Sequence, residues 1–577
     1  MAAPLRPLTA VQRRGGLLRF VPPFTLALFL GPLFAGLLWT LGPAFGYLPA
    51  LGGERLSLAP WQALFAYPGL GNAVGLSLGT GLTATLLSVA IVTALFAHWH
   101  DSRLIARLRR LIAPLLSVPH AALAFGLAFL IAPSGWLFRL FWAPLAGPVP
   151  PDLTIVQDPL GLALIGGLVL KEVPFLFLIM LAASGQTATA GQVAQARGFG
   201  YGKARAWCAV AFPQLYPQLR LPVFAVLTYA MSTVDMAIIL GPATPPPLAV
   251  LLVRWFNDPD LAFRFQASAG AILQLLLVAG TVLLWLGAER VIVRAARRRL
   301  MAGRRGGTGR FGAMLSAGTA ITVFGTATAG LATMALWAGA GRWRYPDPLP
   351  SDWSLDAAVR HGPALGGHVA TTAGIAIAAA GAALVLALAS LEAGQRRTTA
   401  NANGGRGLVL LYLPLLVPQV AFLFGIQILL VQAGADGTWP AVAWSHLLFV
   451  LPYVFLALGG AYRDLDPRYF RTGLALGRSP AALFWRLRLP LLLRPILVAG
   501  AIGIAVSVGE YLPTLFAGAG RVTTVTTEAV GLAAGGDRRL IGLYAVVQMI
   551  LPGLAFLAAL IIPAWCFRRR RGMRTAA

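Results

Sequence analysis

Residues 194–213 read AQARGFGYGKARAWCAVAFP, and residues 471–490 read RTGLALGRSPAALFWRLRLP. The two stretches share one frame. Gly200 and Gly477 are 277 residues apart, and so are Pro213 and Pro490. Small residues stand ahead of each glycine, Ala194 and Ala196 in the first copy and Gly473 in the second. They let a helix lie closely against another surface. The glycine permits a backbone turn that other residues resist. The residues after it are enough for roughly two to three helical turns. Aromatic side chains stand there among arginines: Trp207 with Arg205, and Phe484 and Trp485 with Arg486. Pro213 and Pro490 close the segment and suit the start of the next helix. The pattern predicts, twice over, a short rigid helix on a bent stalk, with Trp207 and Trp485 as its anchoring aromatics. Two equivalent helices on one face suit a partner that grips in two places.

Each copy lies between two long apolar segments. The 577-residue chain is 58% hydrophobic and 11% charged, with a mean hydropathy of +0.75. Such a composition belongs to a polytopic membrane protein. Twelve stretches are long and apolar enough to cross a bilayer, which takes roughly 20 residues each. They lie near 20–41, 73–97, 111–131, 160–182, 221–240, 267–287, 313–337, 369–390, 408–430, 441–461, 496–516 and 541–565. The expected fold class is an all-α integral membrane protein of about 12 transmembrane helices. The N-terminus has no cleavage-site pattern behind a short apolar core, so its first apolar segment is expected to stay as an anchor.

The net charge of +27 is not a nucleic-acid footprint. With the N-terminus inside, 35 of the 46 Lys and Arg fall in cytoplasmic segments, against 5 acidic residues; the outer loops hold 10 basic and 11 acidic. This is the positive-inside asymmetry, and it places both termini inside. Arg13, Arg14 and Arg19 anchor one end, and Arg568 to Arg571 the other. The expected surroundings are lipid, with no nucleic acid. Cys208 and Cys566 are expected as reduced, unpaired thiols. The six histidines are scattered without metal-ligand spacing, so no metal site, no cofactor and no catalytic residue is expected.

The Arg- and Gly-rich stretch at 290–312 divides the chain into 1–289 and 313–577. Each part carries six apolar stretches, an even number, so both enter and leave on the same side as parallel repeats. The loop segments lie near 190–220 and 463–494. The repeat extends further. Val173-Pro174-Phe175 matches Leu451-Pro452-Tyr453, and Met231-Ser232-Thr233-Val234-Asp235 matches Val506-Ser507-Val508-Gly509-Glu510.

These loops resemble the conserved loop of binding-protein-dependent ABC importer permeases, E-A-A, three residues, G, nine residues, I-x-L-P. Gly200, Pro213, Gly477 and Pro490 match, as do the apolar Val210, Phe212, Leu487 and Leu489. The resemblance implies a type I importer fold in a bacterial inner membrane. It implies that the loops are coupling helices docking on two copies of an ABC ATPase, and that a periplasmic substrate-binding protein delivers the solute. Where the family often carries Glu, this chain has Ala194 and Arg471, so an ion pair from that carboxylate is not expected. The double-length layout resembles the fused permeases of thiamine and ferric-iron uptake. The segments Ile239 to Pro246 and Gly509 to Thr514 are most similar to thiamine-type members. No phosphate-binding G-x-x-x-x-G-K-[ST] loop occurs; Gly202-Lys203-Ala204 lacks both the upstream glycine and the hydroxyl residue. ATP turnover is therefore expected on a partner, and the chain is not expected to be an enzyme.

Four charged residues, histidines aside, fall inside apolar stretches: Lys171, Glu172, Asp235 and Glu510. A charge there costs on the order of 2.5–3.5 kcal/mol even on lenient scales, so each needs a partner or water. Lys171 and Glu172 read as interhelical bonding. Asp235 and Glu510, with Ser232 and Ser507 beside them, are repeat-equivalent and form a candidate pathway or gate that would favour a cationic, thiamine-like solute. A gate or helix-contact role is the competing reading of the acid pair. The alternative function is a twelve-span ion-coupled secondary transporter. The loop His98-Trp99-His100-Asp101-Ser102-Arg103 lacks the glycine spacing of its most familiar family. Outer-loop charges, Arg254, Asp258, Asp260, Arg342, Arg344, Asp347, Arg538 and Arg539, are candidate contacts for a binding protein.

Overall fold

A bilayer leaves no water to satisfy a free N–H, so a chain this apolar folds into helices that bond internally. The computed structural model describes residues 17–187, 189–303, 309–397, 410 and 413–568. Arg13 and Arg14, residues 304–308 of the dividing stretch, the start of the expected ninth span and Arg569 to Arg571 lie outside the described residues.

The main helices, in chain order, are α1 (Val21–Ala44), α2 (Ala59–Ala66), α3 (Leu70–Trp99), α4 (Arg103–Ser117), α5 (His120–Ile131), α6 (Leu162–Gln186), α7 (Thr189–Gly198), α8 (Phe212–Ser232), α9 (Asp235–Leu240), α10 (Leu248–Phe256), α11 (Phe263–Met301), α12 (Arg310–Gly339), α13 (Asp356–Arg397), α14 (Gln419–Gln432), α15 (Trp439–Arg463), α16 (Pro467–Ala475), α17 (Leu493–Gly509), α18 (Leu512–Gly518), α19 (Val525–Gly531) and α20 (Arg538–Cys566). Among the described residues, eight helices are long and apolar enough to cross a membrane, and ten if each of two bent pairs counts once. The chain is thus an all-α, multi-pass membrane protein.

Four expected spans are not single helices. The third breaks at Val118-Pro119, the fifth at Thr233-Val234 and the eleventh at Glu510-Tyr511. Pro119 brings no N–H and pushes Val118 out of the helical region. At the ninth, Pro418 makes the same break between a Leu413–Leu416 turn and α14. The dividing stretch is also less of a loop than its composition suggested. Its first part, through Met301, continues α11, because Arg and Ala are good helix formers.

The two parts of the chain are packed across each other. α5 of the first meets α12 of the second, where Gly126 and Gly330 bring their main chains together. α14 of the second meets α1 of the first, and there a Cβ on Gly425 would strike the main chain of Gly36. The buried core is continuous through both parts.

Candidate functional site

The two repeated loops have the same backbone. α7 ends in a left-handed Gly200 (φ 87°) and α16 in a left-handed Gly477 (φ 75°). In the first, Gly200 N–H donates to Arg197 O (2.9 Å) and Tyr201 N–H to Ala196 O (3.3 Å); in the second, Gly477 N–H donates to Leu474 O (3.0 Å) and Arg478 N–H to Gly473 O (3.1 Å). Both are Schellman caps, which call for a residue without a Cβ. A widened helical turn follows at Trp207–Ala211 and again at Phe484–Arg488, in the same frame. Pro213 lies in the first turn of α8, and Pro490 in that of the short Leu489–Leu491 helix. Each cap thrusts out a large apolar side chain, Phe199 at 70% exposure and Leu476 at 75%.

The expected aromatic anchors separate. Trp207 is 2% exposed, with its ring stacked on His100 at 6.5 Å and beside Phe96 and Phe212. It fastens the loop to the end of α3 and is turned into the protein. Trp485 is 67% exposed. In the repeat frame Trp485 answers Cys208, while Phe484 answers Trp207. His100 also accepts the company of Asp101, 2.9 Å from its Nε2. Burial holds its pKa below the ordinary value, against the opposing pull of Asp101. Ala194 is exposed and Ala196 half-buried; Gly473 is buried, since a Cβ there would collide with Leu483.

The second loop is held by charge. Arg488 sits in its widened turn, buried, and its Nη1 donates to Glu392 of α13. Tyr462 of α15 donates its hydroxyl to the same Glu392 oxygen. The guanidinium of Arg488 also lies over the Tyr462 and Phe470 rings, 5.2 and 4.6 Å from their centroids. Sequence reasoning did not single out Glu392, Tyr462 or Arg488.

Inside the membrane region, both candidate acids stand at helix breaks. Asp235 opens α9, is buried, and accepts from Thr233 Oγ1 (3.0 Å) and Tyr229 OH (3.3 Å). Ser232 spends its hydroxyl on Thr228 O. Glu510 lies between α17 and α18, where Gln419 Nε2 reaches its Oε2 at 3.5 Å. Ser507 pairs with His446 Nδ1 (2.8 Å), and His446 Nε2 with Thr514 Oγ1 (2.8 Å), all buried. Lys171 donates to Val118 O, the carbonyl freed by the Pro119 break, at 2.5 Å. His120 lies 4.5 Å from the Tyr229 ring. Four breaks thus gather His120, Gln419, Asp235 and Glu510. A signal for this was legible: VPHAALAFG at 118–126 and VPQVAFLFG at 417–425 are a second repeated motif. Among the described residues, no group of three or more His, Cys, Asp or Glu could hold a metal ion.

No family model matches the chain. It is 31% identical over 553 residues, 95% of its own length and 97% of the relative's, to the inner membrane ABC transporter permease protein YnjC of Escherichia coli (strain K12). A shorter stretch of 87 residues is 36% identical to the molybdenum transport system permease protein ModB of Mycobacterium tuberculosis (strain ATCC 25618 / H37Rv), covering 15% of this chain and 33% of that protein.

Proposed function

The chain belongs to the inner-membrane ABC transporter permeases, and on that premise we propose that it is the whole transmembrane part of an uptake system in one polypeptide. Both repeated loops face the cytoplasm, and each docks on one subunit of a separate ATPase pair. A binding protein delivers the solute to the opposite face. The observation that carries this reading is the matched pair of caps, each presenting one large apolar side chain, Phe199 or Leu476, beyond a turn. An exposed apolar residue on a rigid helix end suits a groove on a partner.

The span count in this reading is twelve, as two parallel sets of six at 1–289 and 313–577. The third, fifth, ninth and eleventh spans are the broken ones, α4 with α5, α8 with α9, the Leu413–Leu416 turn with α14, and α17 with α18. The exchange of Gly126 with Gly330 and of Gly425 with Gly36 supports a two-fold arrangement around a central pathway. ATP-driven closure of the partner subunits moves both loops, and the halves rock to expose that pathway to alternate sides.

The solute in this reading is a small cation of thiamine type or ferric ion, attracted by Asp235 and Glu510. The shared stretch with a molybdenum permease favours a second reading, an anionic solute, in which the acids serve as a gate. Uptake into proteoliposomes separates them: in Asp235→Asn with Glu510→Gln, a cation carrier loses apparent affinity, and an anion carrier keeps it. ATP-dependent uptake that needs an added ATPase supports the permease role; equal uptake without one contradicts it.

A further inference from the structure

On the face opposite the repeated loops, five arginines meet where the two halves join. Arg139, after α5, is 3% exposed and, among the described residues, donates only to main-chain carbonyls: Nε to Ser134 O (3.0 Å), Nη1 to Arg344 O (2.7 Å) and Asp347 O (3.0 Å). Its guanidinium lies over the Trp343, Tyr345 and Trp337 rings. Arg538 is held by Ser134 and lies over Trp337 and Phe129. Burial, and then the charge of Arg538, bring the Arg139 pKa down to about 10, with Asp347 and Tyr345 pulling weakly the other way. A cation is not buried beside a second cation without something to offset it.

A cavity of about 600 Å³ opens on this cluster, lined by Trp337, Arg342, Arg344, Arg538 and Arg539, with Asp537 the one carboxylate. Asp537 is taken by Arg539. Arg342 and Arg344 are exposed, and their guanidiniums make no hydrogen bond among the described residues. The indole N–H of Trp337 is buried without a partner among the described residues, though the residue lines the cavity. Every idle group is a donor, so the missing component is an acceptor of negative charge. The groove in the equivalent place of the other half, between α1, α2 and α11, is lined by Ser57, Asp260, Gln266 and apolar side chains. It carries no arginine. The rim is therefore polarised: one groove basic, its counterpart weakly acidic.

We infer that the Arg342–Arg344–Arg538–Arg539 cavity is the docking site for an acidic patch on the solute-binding protein, and that the unequal grooves fix which way round that protein sits. The inference rests on the uptake reading and orientation proposed above. Aromatic rings and arginines held in a buried frame are the chemistry of a protein-interface anchor. A lipid phosphate is the less suitable occupant, because Trp337 and Arg139 are enclosed by α5, α12 and α20 and do not lie on a lipid-facing flank. Rim charges act mainly on association rate and orientation.

The test uses the full chain with its ATPase in phosphatidylcholine nanodiscs, and purified solute-binding proteins of the source cell taken one at a time. Arg342→Glu with Arg344→Glu is expected to weaken binding about tenfold or more, to flatten its salt dependence, and to be rescued by reversing an acidic residue on the binding protein. Asp260→Arg, at the other groove, is expected to change affinity less than about twofold. Wild-type binding that the double arginine reversal leaves unchanged overturns the docking site and leaves the permease reading intact. Dependence of nanodisc stability, but not of protein binding, on these arginines when phosphatidylglycerol replaces phosphatidylcholine assigns the cavity to lipid and also overturns it. A wild-type chain that binds no solute-binding protein, and whose uptake needs none, removes the uptake reading itself, and the docking site with it.

Discussion

In the first repeated loop, a buried indole is wedged against a histidine and a phenylalanine at the end of α3; in the second, an arginine reaches across to a glutamate on α13 and a tyrosine on α15. The backbones agree down to the widened turn, yet the fastenings have nothing in common. Apolar packing is non-directional and tolerates small shifts. A buried ion pair is directional and fails at once when either member is lost. In the coupling reading proposed above, a loop that turns a partner's motion into helix movement can be attached by either physics, provided that the cap and its exposed side chain keep their place. The halves also differ nearby: Tyr216 and Arg220 of α8 tie to Glu289 of α11 in the first, a link made without the loop.

The largest effects fall on the charged fastening. Arg488→Met strips the buried Glu392 of its guanidinium and is expected to cost roughly 3–5 kcal/mol, read as a fall in melting temperature and loss of uptake. Pairing it with Glu392→Leu should recover most of that stability; if the pair is as damaged as the single variant, the fastening is not an ion-pair effect. The apolar fastening comes next. Trp207→Ala should cost roughly 3–5 kcal/mol through the cavity it leaves, softened where His100 and Phe212 can close in. Trp485→Ala should change stability by less than about 0.5 kcal/mol while lowering uptake-coupled ATP turnover. Equal stability losses at both tryptophans would erase the distinction between them.

Gly200→Val and Gly477→Val sharpen the comparison from the other side, because there the loops are alike. Each forces a Cβ into the left-handed region at about 1–2 kcal/mol, and both should reduce uptake by a similar factor. The smallest effect is in pH. His100 has a folded pKa below its unfolded value, so its contribution is complete above about pH 6.5 and is lost as the pH falls through the lowered folded value. Acidification from pH 7.5 to 5.5 should loosen only the first loop, measured as faster hydrogen exchange over residues 203–211. His100→Gln should remove that response.

Much of this architecture could be read from residue order. The apolar runs, the charge asymmetry and the 277-residue period gave an all-α membrane protein with two equivalent loops. The breaks in the third, fifth, ninth and eleventh spans were missed, although for the third and ninth Val118-Pro119 and Val417-Pro418 head matching stretches. Their spacing is 299 residues, so they fall outside the 277-residue frame. Trp207 and Trp485 were paired by proximity, but they differ by one place in the frame. One residue is about 100° around a helix, enough to turn one ring into the protein and the other outward. The Arg488 fastening was invisible because its partners lie 26 and 96 residues away, and no local pattern marks such a contact. The acid pair was found as a repeat; that each acid stands at a helix break, Asp235 opening α9 and Glu510 between α17 and α18, needs the fold.

The most direct test is site-specific cross-linking at the two exposed caps. With Cys208 and Cys566 replaced by Ser, Phe199→Cys and Leu476→Cys are made separately in the full chain co-produced with its ATPase, and a short bifunctional thiol reagent is applied. Capture of an ATPase subunit from both positions, with two subunits per chain when both are present, is the expected result. Capture from neither position, in chains that still take up solute, would contradict it.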